Sequence, residues 1–158
     1  MKEILLNNEL ALSYPEGFAV PSEEELAKLR FLNKKGAGEV LYDPERHMYA
    51  TAAYQTIGGF QAMLLNIQDL GKNDAKVVAK AMEPYSCEMG EVETKTVAGE
   101  DAVSYSYHYT AEGKAMFGET TEIKKGKNIY YLHFYGRTDE EENCRSVIAS
   151  VLSTAAFR

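Results

Sequence analysis

The sequence predicts an α+β fold, an antiparallel β-sheet of about six strands with helices packed on both faces. Three observations carry it. Residues 99–137 hold three β-rich runs separated by two short turn signals, Glu112-Gly113 and Lys125-Gly126, and runs joined so tightly pair antiparallel. Neither face of the resulting meander is purely polar, which requires cover on both sides. Three further stretches begin with helix-capping residues and continue with apolar residues at helical spacing.

In chain order, Glu9–Tyr14 alternates polar and apolar and stops at Pro15-Glu16-Gly17, a turn, with Phe18–Val20 as its expected return strand. Ser22 and Glu25 form a capping box opening a helix over 22–34, with Pro21 placed to staple onto Leu26. Leu26, Leu29 and Leu32, with Phe31 beside them, make the apolar stripe, and Lys34, Lys35 and Gly36 close it. Glu39–Tyr42 and His47–Tyr54 read as two strands joined at Asp43-Pro44-Glu45-Arg46, a type I turn. Gly58-Gly59 precedes a helix over 59–71 with Phe60, Met63, Leu64, Ile67 and Leu70 on its inward face. Gly71 interrupts it, and Asn73 is expected to cap a second helix to residue 83, with Val77, Val78, Ala81 and Met82 inward and Pro84 at its exit.

Ser86–Val97 reads as one long strand leading into the meander. Two-residue loops pair Tyr105 with Thr120 across the first turn and Thr121 with Tyr130 across the second. Ser104, Ser106, His108, Phe117, Glu119, Thr121, Tyr130, Leu132 and Phe134 then share one face. Val103, Tyr105, Tyr107, Tyr109, Met116, Ile129, Tyr131, His133 and Tyr135 share the other, with Gly118 a place for a bulge that would swap the sets locally. Thr138 and Glu141 repeat the capping-box spacing before a last helix over 139–155. Its stripe of Cys144, Val147, Ile148, Val151, Leu152 and Ala155 must lie on the sheet.

The 158 residues, 45% of them hydrophobic and including 11 Tyr and 6 Phe, read as a single domain over 1–158 with no linker or repeat. A net charge of −7 argues against nucleic acid and anionic membranes. The basic cluster Lys124-Lys125-Gly126-Lys127 is a solvated hairpin tip. The apolar run at the start is too short for a signal peptide, and no run reaches membrane-spanning length. Cys87 and Cys144 lie far apart, so the expectation is a cytoplasmic protein with two reduced thiols.

The candidate chemistry is sparse. His47, His108 and His133 stand in no metal-binding spacing, and the expectation is no metal and no cofactor. Asp43, Glu45 and His47 are close enough in sequence for an acid–base cluster, although the turn explains Asp43 and Pro44 without chemistry. Cys144 sits in an inward stripe, as a core residue would. Gly58-Gly59 before a helix lacks the Lys and Ser/Thr of a phosphate loop. The acidic run 139–142 suits a helix N-terminus. The candidate binding residues are therefore Tyr105, Tyr107, Tyr109, Tyr131, His133 and Tyr135, an amphipathic aromatic face of the kind enriched at protein interfaces. A helix laid over that face would make the same rings core.

The order of elements is itself informative. A turn SYPEGF (13–18) is followed by a helix, a hairpin around LYDPERHM (41–48), a helix, a meander ending NIYYLHFYGR (128–137) and a helix closing on TAAFR (154–158). This order resembles the PsbP-like fold, named for the extrinsic subunit P of photosystem II. That fold is shared by a Ran-binding nuclear import factor and by bacterial domains of unknown function, among them chaperones for secreted effectors. The resemblance spans nearly the whole chain and brings no catalytic or ligand residue with it. It implies a sheet with helices on both faces and a binding role. The functional expectation is a non-enzymatic cytoplasmic binding module, with a protein partner or a second copy as its occupant. The alternative is a small-molecule-binding or hydrolytic protein with a cleft near Asp43, Glu45 and His47.

Overall fold

The computed structural model describes residues 1–28 and 38–158. In chain order the elements are β1 (Lys2–Leu6), β2 (Leu10–Tyr14), α1 (Glu23–Lys28), β3 (Gly38–Asp43), β4 (Met48–Thr56), α2 (Gly59–Leu64) and α3 (Ile67–Ala81). They continue with β5 (Glu88–Met89), β6 (Glu93–Val97), β7 (Glu100–Ala111), β8 (Lys114–Lys125), β9 (Asn128–Arg137), α4 (Glu141–Thr154) and β10 (Ala156–Phe157). A seven-stranded antiparallel sheet runs β3-β4-β9-β8-β7-β5, with β6 also on β7, and a three-stranded sheet runs β1-β2-β10. The α+β expectation holds, with the small sheet as an addition to it.

The meander forms the centre of the large sheet. Its first turn has the expected register, with Tyr105 opposite Thr120. The second turn is centred on Gly126-Lys127, so Thr121 faces Leu132 and Ile123 faces Tyr130. That is a slip of two residues along β9. Because side chains alternate with period two, an even slip leaves every residue on its predicted face. Pairing runs unbroken through Gly118, so no bulge forms there. The glycine is needed for space: a Cβ at Gly118 would lie 2.6 Å from the Tyr107 ring.

On one face, α4 and the small sheet cover Phe117, Ile123, Leu132 and Phe134, and Leu10, Leu12, Tyr14, Ile148 and Val151 fill the layer between. Gly136 lets α4 come down onto β9, since a Cβ there would collide with Cys144 Sγ. On the other face α3 lies across β7 and β8. Both faces are covered, as the patterning required.

Several expectations are corrected. The strand paired with β2 precedes it as β1, with Ile4 opposite Leu12, while Ala19 makes only an isolated bridge to Tyr42. β1 buries Ile4 and Leu6 on alternate positions, a pattern too short to stand out from an N-terminal tail. Residues 86–97 form two short strands, because the chain breaks pairing between Met89 and Glu93. Gly71 lies inside α3 rather than ending a helix. A Cβ there would sit 2.5 Å from Val103 Cγ2, so glycine permits close packing of helix on strand. The helix begins instead at Asn66, whose side chain accepts from Gln68 N at 2.8 Å, and Asn73 caps nothing.

The capping box at Ser22 and Glu25 forms in both directions, Glu25 N to Ser22 Oγ at 3.2 Å and Ser22 N to Glu25 Oε1 at 3.0 Å. The side chains of Leu26, Leu29, Phe31 and Leu32, and the closing Lys34, Lys35 and Gly36, lie outside the described residues. The Thr138–Glu141 box does not form. Residues 138–140 make a 3-10 turn, α4 starts without a side-chain cap, and Thr138 Oγ1 is buried without a partner among the described residues.

Candidate functional site

The predicted aromatic face assembles, and α3 covers it. Tyr105, Tyr107, Tyr109 and Tyr135 are buried and form a second core with Ala75 of α3, flanked by Val78, Met82, Met89 and Val92. The rings run as a ladder, Tyr105 to Tyr107 at 6.4 Å and Tyr107 to Tyr109 at 5.8 Å between centroids. His133 stacks on Tyr135 at 6.2 Å, and Tyr131 and His133 are half-buried. Of the two readings of this face, the covering helix describes Tyr105, Tyr107, Tyr109 and Tyr135. Period two put them on one face correctly, but it could not say that α3 would lie there.

This second core is unusually rich in polar groups. Tyr105 Oη donates to Glu122 Oε2 at 3.2 Å. Glu122 is buried, and Asp74 of α3 faces it. Burial, then the neighbouring Asp74 carboxyl, pushes Glu122 up to about 9, and burial raises Asp74 as well. Two carboxyl groups facing each other in an apolar setting share a proton rather than both ionise. Thr120 Oγ1 and His133 Nδ1 are 2.8 Å apart, and loss of water holds His133 down to about 4. Gln55 Nε2 donates to Tyr131 Oη at 2.6 Å. Loss of water pushes Tyr135 up to about 12.

The alternative cluster near the β3–β4 turn does not come together as a reactive group. Asp43 is fully buried; its Oδ1 accepts from Glu45 N at 3.0 Å and Arg46 N at 3.2 Å, and its Oδ2 binds Arg46 Nη1. That is an Asx turn with an ion pair, so both oxygens serve the hairpin. His47 takes a left-handed backbone at φ 52 and lies 3.4 Å from Glu140, while Glu45 is exposed. Both cysteines are free. Cys144 is buried against Gly136, and burial pushes its thiol up to about 11. Cys87 is half-buried, and burial raises it too.

The side chains that do meet solvent lie elsewhere. Phe60, Met63 and Leu64, expected inward, point out of α2 at 76%, 83% and 71% exposure. Their spacing places them on one face of the helix, while Ala62 is the only residue of α2 that is buried. A backbone bond from Ile57 N to Lys127 O, 2.8 Å, ties the approach to α2 to the β8–β9 turn. A Cβ on Gly59 would stand 3.4 Å from Lys127 Cε. Met63, Leu64 and the α2–α3 joint wall a cleft of about 510 Å3, with Glu100, Asp101 and Lys124 opposite. The sequence signal for this knuckle was the capping Asn66 before Ile67, which cuts α2 to six residues, too short to bury an apolar stripe.

Neither a family model nor a curated protein sequence matches the chain. Solved structures do. The PsbP of the cyanobacterium Synechocystis sp. PCC 6803 matches with a TM-score of 0.68 at 13% identity, covering 99% of this chain and 92% of that one. LpqN of Mycobacterium tuberculosis, described as involved in cell envelope biogenesis, matches at 0.61 and 12%, covering 94% and 82%. The Ran-binding protein Mog1p of Saccharomyces cerevisiae matches at 0.58 and 10%, covering 98% and 93%. The chain has the PsbP-like fold that the order of its elements resembled. At such identities the likeness is one of fold alone.

Proposed function

We propose that this chain is a non-enzymatic cytoplasmic protein-binding module. Its contact surface is the outward face of α2, and its occupant is an apolar groove with an acidic lip on another protein. The observation that carries the reading is the exposure of Phe60, Met63 and Leu64 on one face of a short helix. Burying such a side chain is worth about 1.5–3 kcal/mol, and the fold leaves three of them unburied together. Aromatic and methionine side chains such as Phe60 and Met63 are enriched at protein interfaces.

The lysines beside α2 are in keeping with an acidic lip on the partner. Lys127 stands at the base of the knuckle, exposed and without an ion-pair partner among the described residues, and Lys124 shares the cleft with Met63 and Leu64. Glu100 and Asp101 line the same cleft, and Lys125 holds Glu100, so Lys124 and Lys127 are the cations left for an acidic lip to match. A Ran-binding neighbour of the same fold is in keeping with a protein partner. The non-enzymatic part of the reading draws support from the candidate reactive groups: Asp43 closes a turn and Cys144 packs in a core.

A photo-reactive amino acid at position 63, crosslinked in cells and followed by mass spectrometry, tests this. The expected result is a crosslink to one other protein, lost in Phe60→Ser/Leu64→Ser while the melting temperature holds. Crosslinks to a second copy alone would replace the proposed partner with a homodimer. Absence of any specific crosslink would overturn the assignment of α2.

A further inference from the structure

The α4 face of the large sheet changes character toward its β7 edge. Where β8 and β9 bring Phe117, Ile123 and Leu132 inward, neighbouring positions of the same face bring Ser104, Ser106 and Glu119. The break between β5 and β6 is pinned by Gly90 N donating to Ser106 O at 2.8 Å, and it brings Glu91 and Glu93 to the rim. With Arg145 of α4 these residues line a cavity of about 140 Å3.

Two groups in this cavity have unused capacity. Glu119 is only 7% exposed; its Oε1 lies 3.4 Å from Arg145 Nη1, and its Oε2 has no partner among the described residues. Ser104 is 4% exposed, and its hydroxyl makes no hydrogen bond among them. A carboxylate placed mid-sheet and incompletely paired is costly, and the surrounding ladder does not require it. Arg145 is meanwhile engaged elsewhere: its Nε donates to Glu141 at 2.9 Å, its guanidinium lies 4.6 Å over the Phe117 ring, and His108 Nε2 meets the same Glu141. Lys95 faces Glu119 from β6 without forming an ion pair with it. The three carboxylates that line the cavity, Glu91, Glu93 and Glu119, therefore outnumber Arg145 within it and Lys95 beside it.

We propose that this cavity binds a primary ammonium group, held by Glu119 Oε2, Ser104 Oγ and a rim carboxylate of Glu93 or Glu91. An ammonium offers three N–H donors, which matches one buried carboxylate oxygen, one hydroxyl and one rim acceptor. A metal ion fits less well, since the described residues hold no group of three or more His, Cys, Asp or Glu placed to bind one. The volume suits an ammonium on a short alkyl chain, and the same chemistry is carried by a free alkylamine or by a lysine side chain of another protein. The site is separate from α2 and stands or falls independently of it.

Amide correlation spectra of the full chain, titrated with propylamine, with Nα-acetyl-lysine methylamide and with tetramethylammonium, test the proposal. Saturable shifts at Ser104, Ser106 and Glu119 are expected for the two primary amines, with affinity in the millimolar range. Tighter binding of the lysine derivative would identify a protein-borne ligand, and tighter binding of propylamine a free amine; either supports the site. Glu119→Gln should abolish the shifts, and Glu93→Gln, a rim change that leaves the buried layer intact, should weaken binding severalfold at an unchanged melting temperature. No saturable shift from either amine, or equal shifts from tetramethylammonium, would overturn the proposal.

Discussion

The two faces of the large sheet are made by the same three strands and yet solve burial differently. Under α4 the layer is mostly hydrocarbon, with Phe117, Ile123, Leu132 and Phe134 against Leu10, Leu12, Ile148 and Val151. Under α3 it is built of tyrosines with a carboxyl pair that shares a proton and a histidine held neutral by loss of water. The hydrocarbon part of the first layer depends on volume, and its titratable Glu119 is confined to the β7 edge. The second depends on where each hydroxyl and proton finds a partner, so it carries titratable and specific contributions that the hydrocarbon part does not. Substitutions on the two faces should therefore fail in different ways.

The largest effect is expected on the hydrocarbon face. Phe117 is fully buried, with the His108 ring 5.6 Å from it and the Arg145 guanidinium above it. Phe117→Ala should cost about 3–5 kcal/mol, the usual range for emptying an aromatic site in a core. Urea unfolding at pH 6 and pH 8 should give the same loss at both. A pH-dependent loss would mean that the two layers are not separate.

Next is overpacking of the tyrosine face. Gly118→Ala puts a methyl 2.6 Å from the Tyr107 ring, which is hemmed in by Tyr105, Tyr109 and Tyr135. The ring has little room to retreat, and about 1–3 kcal/mol should be lost. Chemical-shift changes should spread from Tyr107 into α3. A neutral melting temperature would show that the ladder is looser than its spacing implies.

How much of this was legible in the sequence follows from period two and its limits. Alternation assigns Tyr105, Tyr107, Tyr131 and Tyr135 to one face although the second turn lies one residue later than Lys125-Gly126, because an even slip preserves the face. Glycine and asparagine were harder to read. Gly71 looked like a helix breaker and is a packing glycine against Val103, whereas Asn66, the actual cap, was hidden within what read as one amphipathic helix. That error turned Phe60, Met63 and Leu64 inward when the short α2 turns them out. Glu119 fell among the residues assigned to its face, but a lone carboxylate in a strand has no sequence signature. Its significance comes only from the cavity that Glu91, Glu93 and Arg145 close around it.

The pH dependence sharpens the contrast. Folded Glu122 holds its proton up to about 9, so the folded chain binds more protons than the unfolded chain from about pH 4.5 to about 9. Its contribution is full below the unfolded carboxyl range and is lost as pH rises through that window. His133 acts in the opposite sense: held near 4, it costs stability as pH falls from about 6.5 towards 4. Glu122→Gln, which keeps a donor facing Asp74, should flatten the alkaline limb and raise the melting temperature at pH 8. It should leave the acid limb in place. An unchanged alkaline limb would place the titration elsewhere.

The finest comparison lies within one strand. Tyr105 and Tyr109 are buried to the same degree in β7 and differ in their hydroxyls: Tyr105 Oη donates to Glu122, while Tyr109 Oη has no partner among the described residues. Removing a hydrogen-bonded hydroxyl loses the bond and strands its acceptor, a cost of about 1–3 kcal/mol, whereas removing an unsatisfied one relieves a desolvation penalty. Glu122 makes the first case sharper, since it is buried beside Asp74 and Tyr105→Phe would leave its Oε2 without a donor. Tyr105→Phe should therefore destabilise the fold and shift the alkaline limb through Glu122. Tyr109→Phe should be neutral or slightly stabilising at every pH. Paired urea titrations of the two variants decide it, because both delete one oxygen from an equally buried ring. Equal losses would show that these hydroxyls act through packing, and that the tyrosine layer differs from the hydrocarbon layer in composition alone.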